Sequence, residues 1–333
     1  MQLLTVSSYY GTGSSAVTDF LSEFDNVKSL TNYEFRFAHD PDGLSELEYN
    51  LVDNFNRHNS GHALKRYRNL VDYYSNHFMV TRYEPFFNNK WKEISYNYIE
   101  SLTDFKYKGI WQYDFYDKGP WYEFWHKLPT RILSRTIWRN KPDRTFFFGD
   151  METFASHPTR EKFIKCTKDY TDSLMKEANL ENKPFVILDQ LLPSSNIEHH
   201  MRYFNNVRTF VVDRDPRDLY LLAKYEWNDN IVPRDIDLFC KWFRYTRGMR
   251  EVENWNPDKV MYVQFEDLIY KYDETTDNIL EWIGIKKEHH VFQKKYLNPA
   301  ISIKNTRYWE QHPEYKPEAD KIKNELSEYL YTM

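Results

Sequence analysis

Hydrophobic residues in this chain fall into short runs separated by longer stretches of helical periodicity. The first run, Leu3 to Val6, predicts a buried strand that breaks into Ser7-Ser8-Tyr9-Tyr10-Gly11-Thr12-Gly13-Ser14-Ser15. From Ala16 to Phe24 the apolar positions Val17, Phe20, Leu21 and Phe24 follow helix spacing. A second strand is predicted over Tyr33 to Phe37, with a turn-rich exit through His39-Asp40-Pro41-Asp42-Gly43. Further apolar runs at Thr145–Phe148, Phe185–Leu188, Thr209–Val212 and Val260–Val263 have helical stretches between them. Such alternation predicts an α/β fold, a three-layer α/β/α arrangement around a central parallel sheet covered on both faces.

Residues from about 44 to 139 read as helical throughout, with Leu47, Leu51 and Phe55 on one face and Leu64, Tyr67 and Val71 on another. This block holds the densest aromatics, among them Trp111, Tyr113, Trp121, Tyr122, Phe124 and Trp125. With no repeat, low-complexity tract or linker, the expectation is one domain over residues 1–333. About 44–140 would then be a helical insertion forming part of the acceptor pocket.

Composition narrows the classes. Of 333 residues, 18% are aromatic, which reads for the most part as compositional bias, with some lining a pocket; those around Tyr113–Trp125 read mainly as helical core. The net charge of −5 argues against a nucleic-acid partner, since such proteins present a basic face. Two cysteines, Cys166 and Cys240, cannot build a disulfide framework or a zinc site and fit a reducing compartment. The opening MQLLTVSSYYG lacks the basic region and apolar core of a signal peptide, and no run reaches membrane-span length. A cytoplasmic protein with no stable membrane insertion is expected.

Two segments carry candidate chemistry. Gly11, Thr12, Gly13, Ser14 and Ser15 lie between a strand and a helix, where small residues let backbone N–H groups close around a phosphate. A Gly/Ser turn alone defines only a turn, and this one lacks the Gly-Lys-Ser/Thr ending of a Walker A loop. The second segment, Val211-Val212-Asp213-Arg214-Asp215-Pro216-Arg217-Asp218, ends a buried strand and opens a helix. Asp215 and Pro216 there read as an N-cap and first helical residue. Arg214 and Arg217, which capping does not explain, can hold a second phosphate by forked hydrogen bonds.

The strand followed by Arg-Asp-Pro-Arg-Asp resembles the 3′-phosphate motif of the sulfotransferases that use 3′-phosphoadenosine 5′-phosphosulfate (PAPS). The opening loop resembles their 5′-phosphosulfate loop. Tyr262–Leu268 followed by Ile279–Ile285 is similar to the family's Glu-Asp-Leu and closing-helix signature, and Ser302–Trp309 to the late loop of bacterial members. The resemblance implies a P-loop NTPase-like fold, PAPS as co-substrate, 3′,5′-adenosine diphosphate as product, and no metal. It places Ser302, Lys304, Asn305 and Arg307 on the nucleotide. Two positions depart from it: Gly11 stands where many members carry Lys or Arg, and Leu222 where many carry Ser. Lys65, Arg66 and Arg68 are candidates by type to replace the first, and Lys304 or Arg307 the second.

Transfer to a hydroxyl needs a base within hydrogen-bond reach. Glu34 lies 23 residues after Gly11 (34 − 11), similar to where glycan sulfotransferases place a catalytic Glu. In a strand it is expected either to be buried, with a raised pKa suited to a base, or to pair with Arg36. His39 is the second candidate, with Asp40 as orienting partner. Asp189, Ser194 and Ser195 follow a strand where the family has acceptor- or donor-facing residues. The acceptor is expected to be a small molecule or a glycan: an envelope or capsular carbohydrate, or a lipophilic alcohol such as a sterol. The alternatives are a P-loop-like nucleotide kinase and a nucleotide-binding scaffold that has lost catalysis.

Overall fold

The computed structural model describes residues 1–75, 80, 82–147, 151–250 and 252–332. Its strands are β1 (Gln2–Ser8), β2 (Val27–Glu34), β3 (Phe105–Gly109), β4 (Met151–Ala155), β5 (Phe185–Asp189), β6 (Val207–Asp213) and β7 (Val260–Gln264). The chain divides into two compact units. One comprises Met1–Asp40, Pro85–Asn89 and Thr171–Met333, the other Pro41–Glu84 and Lys90–Tyr170.

In the first unit five strands form a sheet in the order β2-β5-β1-β6-β7. Every pairing in it is parallel. Strand β1 is central, and the chain turns to opposite sides of it to make β5 and β6. That reversal opens a crevice at the carboxyl ends of the strands. On one face Leu4, Val6, Ile187, Phe210 and Val212 pack against Val17, Phe20 and Leu21 of the helix Ser14–Leu21 and Ile279 and Ile283 of the helix Tyr272–Ile283. Each such side chain contributes roughly 1.5–3 kcal/mol on burial. The alternate residues of β1 are buried too: the Thr5 hydroxyl accepts the Leu191 N–H, and the Ser7 hydroxyl donates to the Leu192 carbonyl. Both faces of the sheet are therefore covered, as the short apolar runs predicted.

The second unit is mainly helical, with a two-stranded antiparallel sheet of β3 and β4. Aromatic side chains with satisfied polar tips fill its core. Tyr98 stacks on Tyr170 at 4.5 Å, the Tyr67 hydroxyl donates to Tyr170 at 3.1 Å, and the Trp91 indole donates to the Val71 carbonyl at 3.0 Å.

Three expectations change. The second strand begins at Val27 and ends at Glu34; Phe35 follows it, its N–H still bonded to the Asp189 carbonyl, and Phe37 is buried from a turn. The stretch from 44 to 139 is not helical throughout, because Phe105–Gly109 alternates and pairs with Met151–Ala155. Residues 145–147 belong to no strand, and Phe148 lies outside the described residues.

Candidate active site

A cavity of about 1290 Å³ opens at the carboxyl ends of all five parallel strands. Its floor is the loop after β1. Tyr10, Gly11 and Gly13 all have positive φ, at 75°, 65° and 93°. A Cβ on Gly11 would stand 2.8 Å from both Leu219 and Trp227, and one on Gly13 would stand 2.5 Å from Phe265. Glycine is thus required at both places by conformation and by space. Thr12 anchors the curl: its hydroxyl donates to the Val212 carbonyl at 2.7 Å and accepts the Tyr9 N–H at 3.3 Å. The N–H groups of Gly11 to Ser15 find no acceptor among the described residues, and the last two begin the helix Ser14–Leu21. The loop is a concave array of free donors at a positive helix end.

The residue that follows β6 is Arg214, which is 3% exposed. One terminal nitrogen lies 3.4 Å from the Gly11 carbonyl, and the other donates to the Asn305 carbonyl. Its Nε, also buried, has no hydrogen-bond partner. The guanidinium rests 4.6 Å from the Phe265 ring, and burial lowers its pKa. It forms no ion pair with a carboxylate among the described residues, whereas its neighbours do. Arg217 forks onto Asp215 at 2.9 and 2.6 Å and lies 3.9 Å over Trp309, away from the cavity. Arg247 and Arg250 both hold Asp213, at 2.6 and 2.9 Å. Asp215 caps the helix Pro216–Leu221 as its sequence predicts, accepting the Arg217 N–H.

The late loop is tied down beside this network. Asp218 accepts the N–H groups of Arg307 and Tyr308 at 2.9 and 2.8 Å, and burial raises its pKa to about 6. Asn305 reaches the cavity. Ser302, Lys304 and Arg307 do not line it; the Arg307 side chain turns to Glu310 and Tyr270. Leu222 is buried in an apolar cluster with Phe239 and Ile322. In the other unit Lys65 is held by Asp114, Arg66 by Asp42 and Asp117, and Arg68 lies nearest Glu152.

Two carboxylates meet at the far wall. Glu34 ends β2 in register with Asp189, which ends β5. Glu34 is exposed, contrary to the burial expected of it, because it is the last residue of an edge strand; Arg36 donates to it at 2.9 Å. Asp189 is the buried one. One oxygen accepts the Ser14 hydroxyl at 3.1 Å, and the other has no partner. Burial pushes its pKa up to about 7, against the Ser14 hydrogen bond and with the Glu34 charge. His39 does not line the cavity. It packs edge-on to His200, and burial with that neighbour lowers its pKa to about 4. Asp40 pairs with Arg36.

Ser194 and Ser195 line the cavity as expected. Sequence reasoning missed Trp227, Asp229, Trp242, Tyr245 and Thr246, which close another side. Trp242, Tyr245 and Thr246 share one face of the helix Ile236–Arg247, at i, i+3 and i+4. That spacing was visible, but the same helix has an equally regular apolar face. Among the described residues no group of three or more His, Cys, Asp or Glu side chains is placed to hold a metal ion.

Fold and site together define a three-layer α/β/α protein with an anion cradle at the carboxyl ends of its parallel strands. No family model and no curated protein matches the sequence. Among solved structures it is similar to the sulfotransferase domain of the Synechococcus olefin synthase, at 13% identity and TM-score 0.42, over 100% of this chain and 95% of that one. A sulfotransferase from Mycobacterium tuberculosis gives 13% identity and TM-score 0.37, over 98% and 76% of the two chains. One from Mycobacterium avium gives 13% and 0.38, over 98% and 75%. Likeness at this level transfers no residue roles, which come from this chain's own geometry.

Proposed function

We propose that this chain is a sulfotransferase moving the sulfuryl group of PAPS to an acceptor hydroxyl. The acceptor is a glycan or a lipophilic alcohol such as a sterol. The observation that carries the reading is the run of unpartnered N–H groups from Gly11 to Ser15 on the floor of one cavity, with the Arg214 cation in the wall beside it. A donor that a ligand covers costs roughly 1–3 kcal/mol unless the ligand accepts from it. An anion with several oxygens does so. The cavity exceeds the roughly 300–1,000 Å³ of ordinary ligand sites, leaving room for a nucleotide and an acceptor together.

When bound, PAPS supplies the sulfuryl group and leaves as 3′,5′-adenosine diphosphate. The loop N–H groups hold anionic oxygens, and Arg214, itself buried, sets a fixed cation beside them. Trp227 fills the space a cation at position 11 would need, so Arg214 serves the leaving group in its place. The base is the carboxylate pair at the ends of β2 and β5. Within it Asp189, which lines the cavity, takes the acceptor's proton, and Glu34 with Arg36 orients the acceptor.

Calorimetric titration with 3′,5′-adenosine diphosphate, with ATP as control, tests this. Binding of the bisphosphate with none of ATP supports it. Binding of ATP alone overturns it in favour of a kinase-like enzyme. Bisphosphate binding with no transfer to any hydroxyl would identify a scaffold that has lost catalysis, the outcome the packing of Trp227 over Gly11 would then explain.

A further inference from the structure

The helix Pro120–Arg135 is amphipathic, yet none of its sixteen residues is buried. Its apolar positions Trp121, Phe124, Trp125, Leu128 and Ile132 follow i, i+3, i+4, i+7 and i+11, a single stripe. That stripe faces outward: Trp121 is 74% exposed, Trp125 60%, Ile132 54% and Phe124 42%. The opposite side carries Tyr122 and His126, which pack on Phe115 within the same unit. Soluble proteins rarely leave two tryptophans and an isoleucine contiguous in water without a partner.

Charge identifies the partner. Lys127, Arg131 and Arg135 form a row at i, i+4 and i+8 along one edge of the stripe. Residues 120–147 hold six basic residues (Lys127, Arg131, Arg135, Arg139, Lys141, Arg144) against two acidic ones (Glu123, Asp143), a net of +4 in a chain of net −5. Lys127 pairs with Glu123, while Arg131, Arg135 and Arg139 form no ion pair among the described residues. Trp side chains favour the polar–apolar boundary of a bilayer, and long basic side chains extend from it to the headgroups. An aromatic face with a basic edge is the make-up of a helix that lies in an interface plane. An antiparallel two-fold pairing of the stripe with a second copy of this chain would bring the basic rows together.

We propose that the helix Pro120–Arg135 docks on an anionic lipid surface, with Trp121, Phe124, Trp125 and Ile132 at the headgroup level and Lys127, Arg131 and Arg135 on the lipid phosphates. Binding is peripheral, since no helix among the described residues is long and apolar enough to cross a membrane. It is independent of the proposed chemistry.

The test is co-sedimentation of the full chain with vesicles of phosphatidylcholine alone and of phosphatidylcholine with phosphatidylglycerol. Binding is expected to the mixed vesicles, about tenfold or more above the neutral ones, and to fall as salt rises. The double variant Trp121→Ala/Trp125→Ala is expected to lower it on the order of tenfold, with an unchanged melting curve as the check on folding. Lys127→Gln/Arg131→Gln, which keeps the stripe intact, should weaken binding to mixed vesicles alone. Equal binding to both vesicle types, no binding to either, or a dimer in sedimentation that the tryptophan changes dissolve would each overturn the proposal.

Discussion

The helices Ile236–Arg247 and Pro120–Arg135 are built from the same kinds of residue and come to opposite ends. Both are amphipathic, aromatic and basic. The first buries Phe239, Cys240, Phe243 and even Arg247, whose guanidinium lies 3.5 Å from the Phe243 ring centre and holds Asp213. The second buries nothing and shows its tryptophans to solvent. The difference is one of partners. A buried charge needs an opposite charge or hydrogen-bond acceptors already fixed there, and the end of β6 fixes Asp213 for Arg247. No described residue of the unit around Pro120–Arg135 does the same for Arg131 or Arg135. One basic aromatic helix therefore builds the wall of a site, and the other remains a surface.

The sharpest way to break this contrast is to remove matching residues from each helix. Phe243→Ala is expected to destabilise by about 3–5 kcal/mol through a cavity, and Arg247→Ala by less, about 1–3 kcal/mol, because Arg250 still holds Asp213. Urea melts of both measure this, and values below about 1 kcal/mol would mean the wall is not fixed as described.

A smaller effect separates the arginines at the end of β6. Arg214→Ala should weaken binding of 3′,5′-adenosine diphosphate by about 1.5–3 kcal/mol, since it removes a charged hydrogen-bond donor. Arg217→Ala, whose partner is Asp215, should change that affinity far less. Calorimetry of the two side by side would fail the assignment if their order reversed.

Asp189 gives a pH signature. Its pKa is raised to about 7, so the neutral carboxyl favours the fold and that contribution fades as pH rises through about 7. Asp189→Asn is therefore expected to be more stable than the parent at pH 8, on the order of 1–2 kcal/mol, with the gap closing towards pH 4. As a base Asp189 must be ionised, so kcat/KM should drop as pH falls through about 7. Asp189→Asn should abolish turnover, whereas Glu34→Gln should lower it and move the limb to lower pH, because it removes a charge that raises the Asp189 pKa. A limb unmoved in position by every Asp189 change would remove it from the base's role.

The smallest effect is the most telling for the exposed helix. Trp125→Ala should shift stability by no more than about 0.5 kcal/mol, because the side chain has little packing to lose. A loss comparable to Phe243→Ala would mean that its ring is covered after all.

Much of this was legible in the sequence, and for identifiable reasons. Runs such as Phe185–Leu188 and Thr209–Val212 announce strands buried on both faces, and Gly11 and Gly13 announce a left-handed curl before a helix. The cap at Asp215 is equally local. Each depends on neighbours within a few residues. The roles of the charged residues do not. Arg214 and Arg217 look equivalent in Arg-Asp-Pro-Arg-Asp, yet only the fold decides that one faces the cavity and the other a carboxylate. Glu34 reads as a buried base, but the sheet makes β2 an edge and hands the buried, unpartnered oxygen to Asp189, 155 residues later (189 − 34). Periodicity, capping and turn chemistry are short-ranged and are written in the sequence. Desolvation and charge pairing depend on which distant segments meet, and only the tertiary structure decides them.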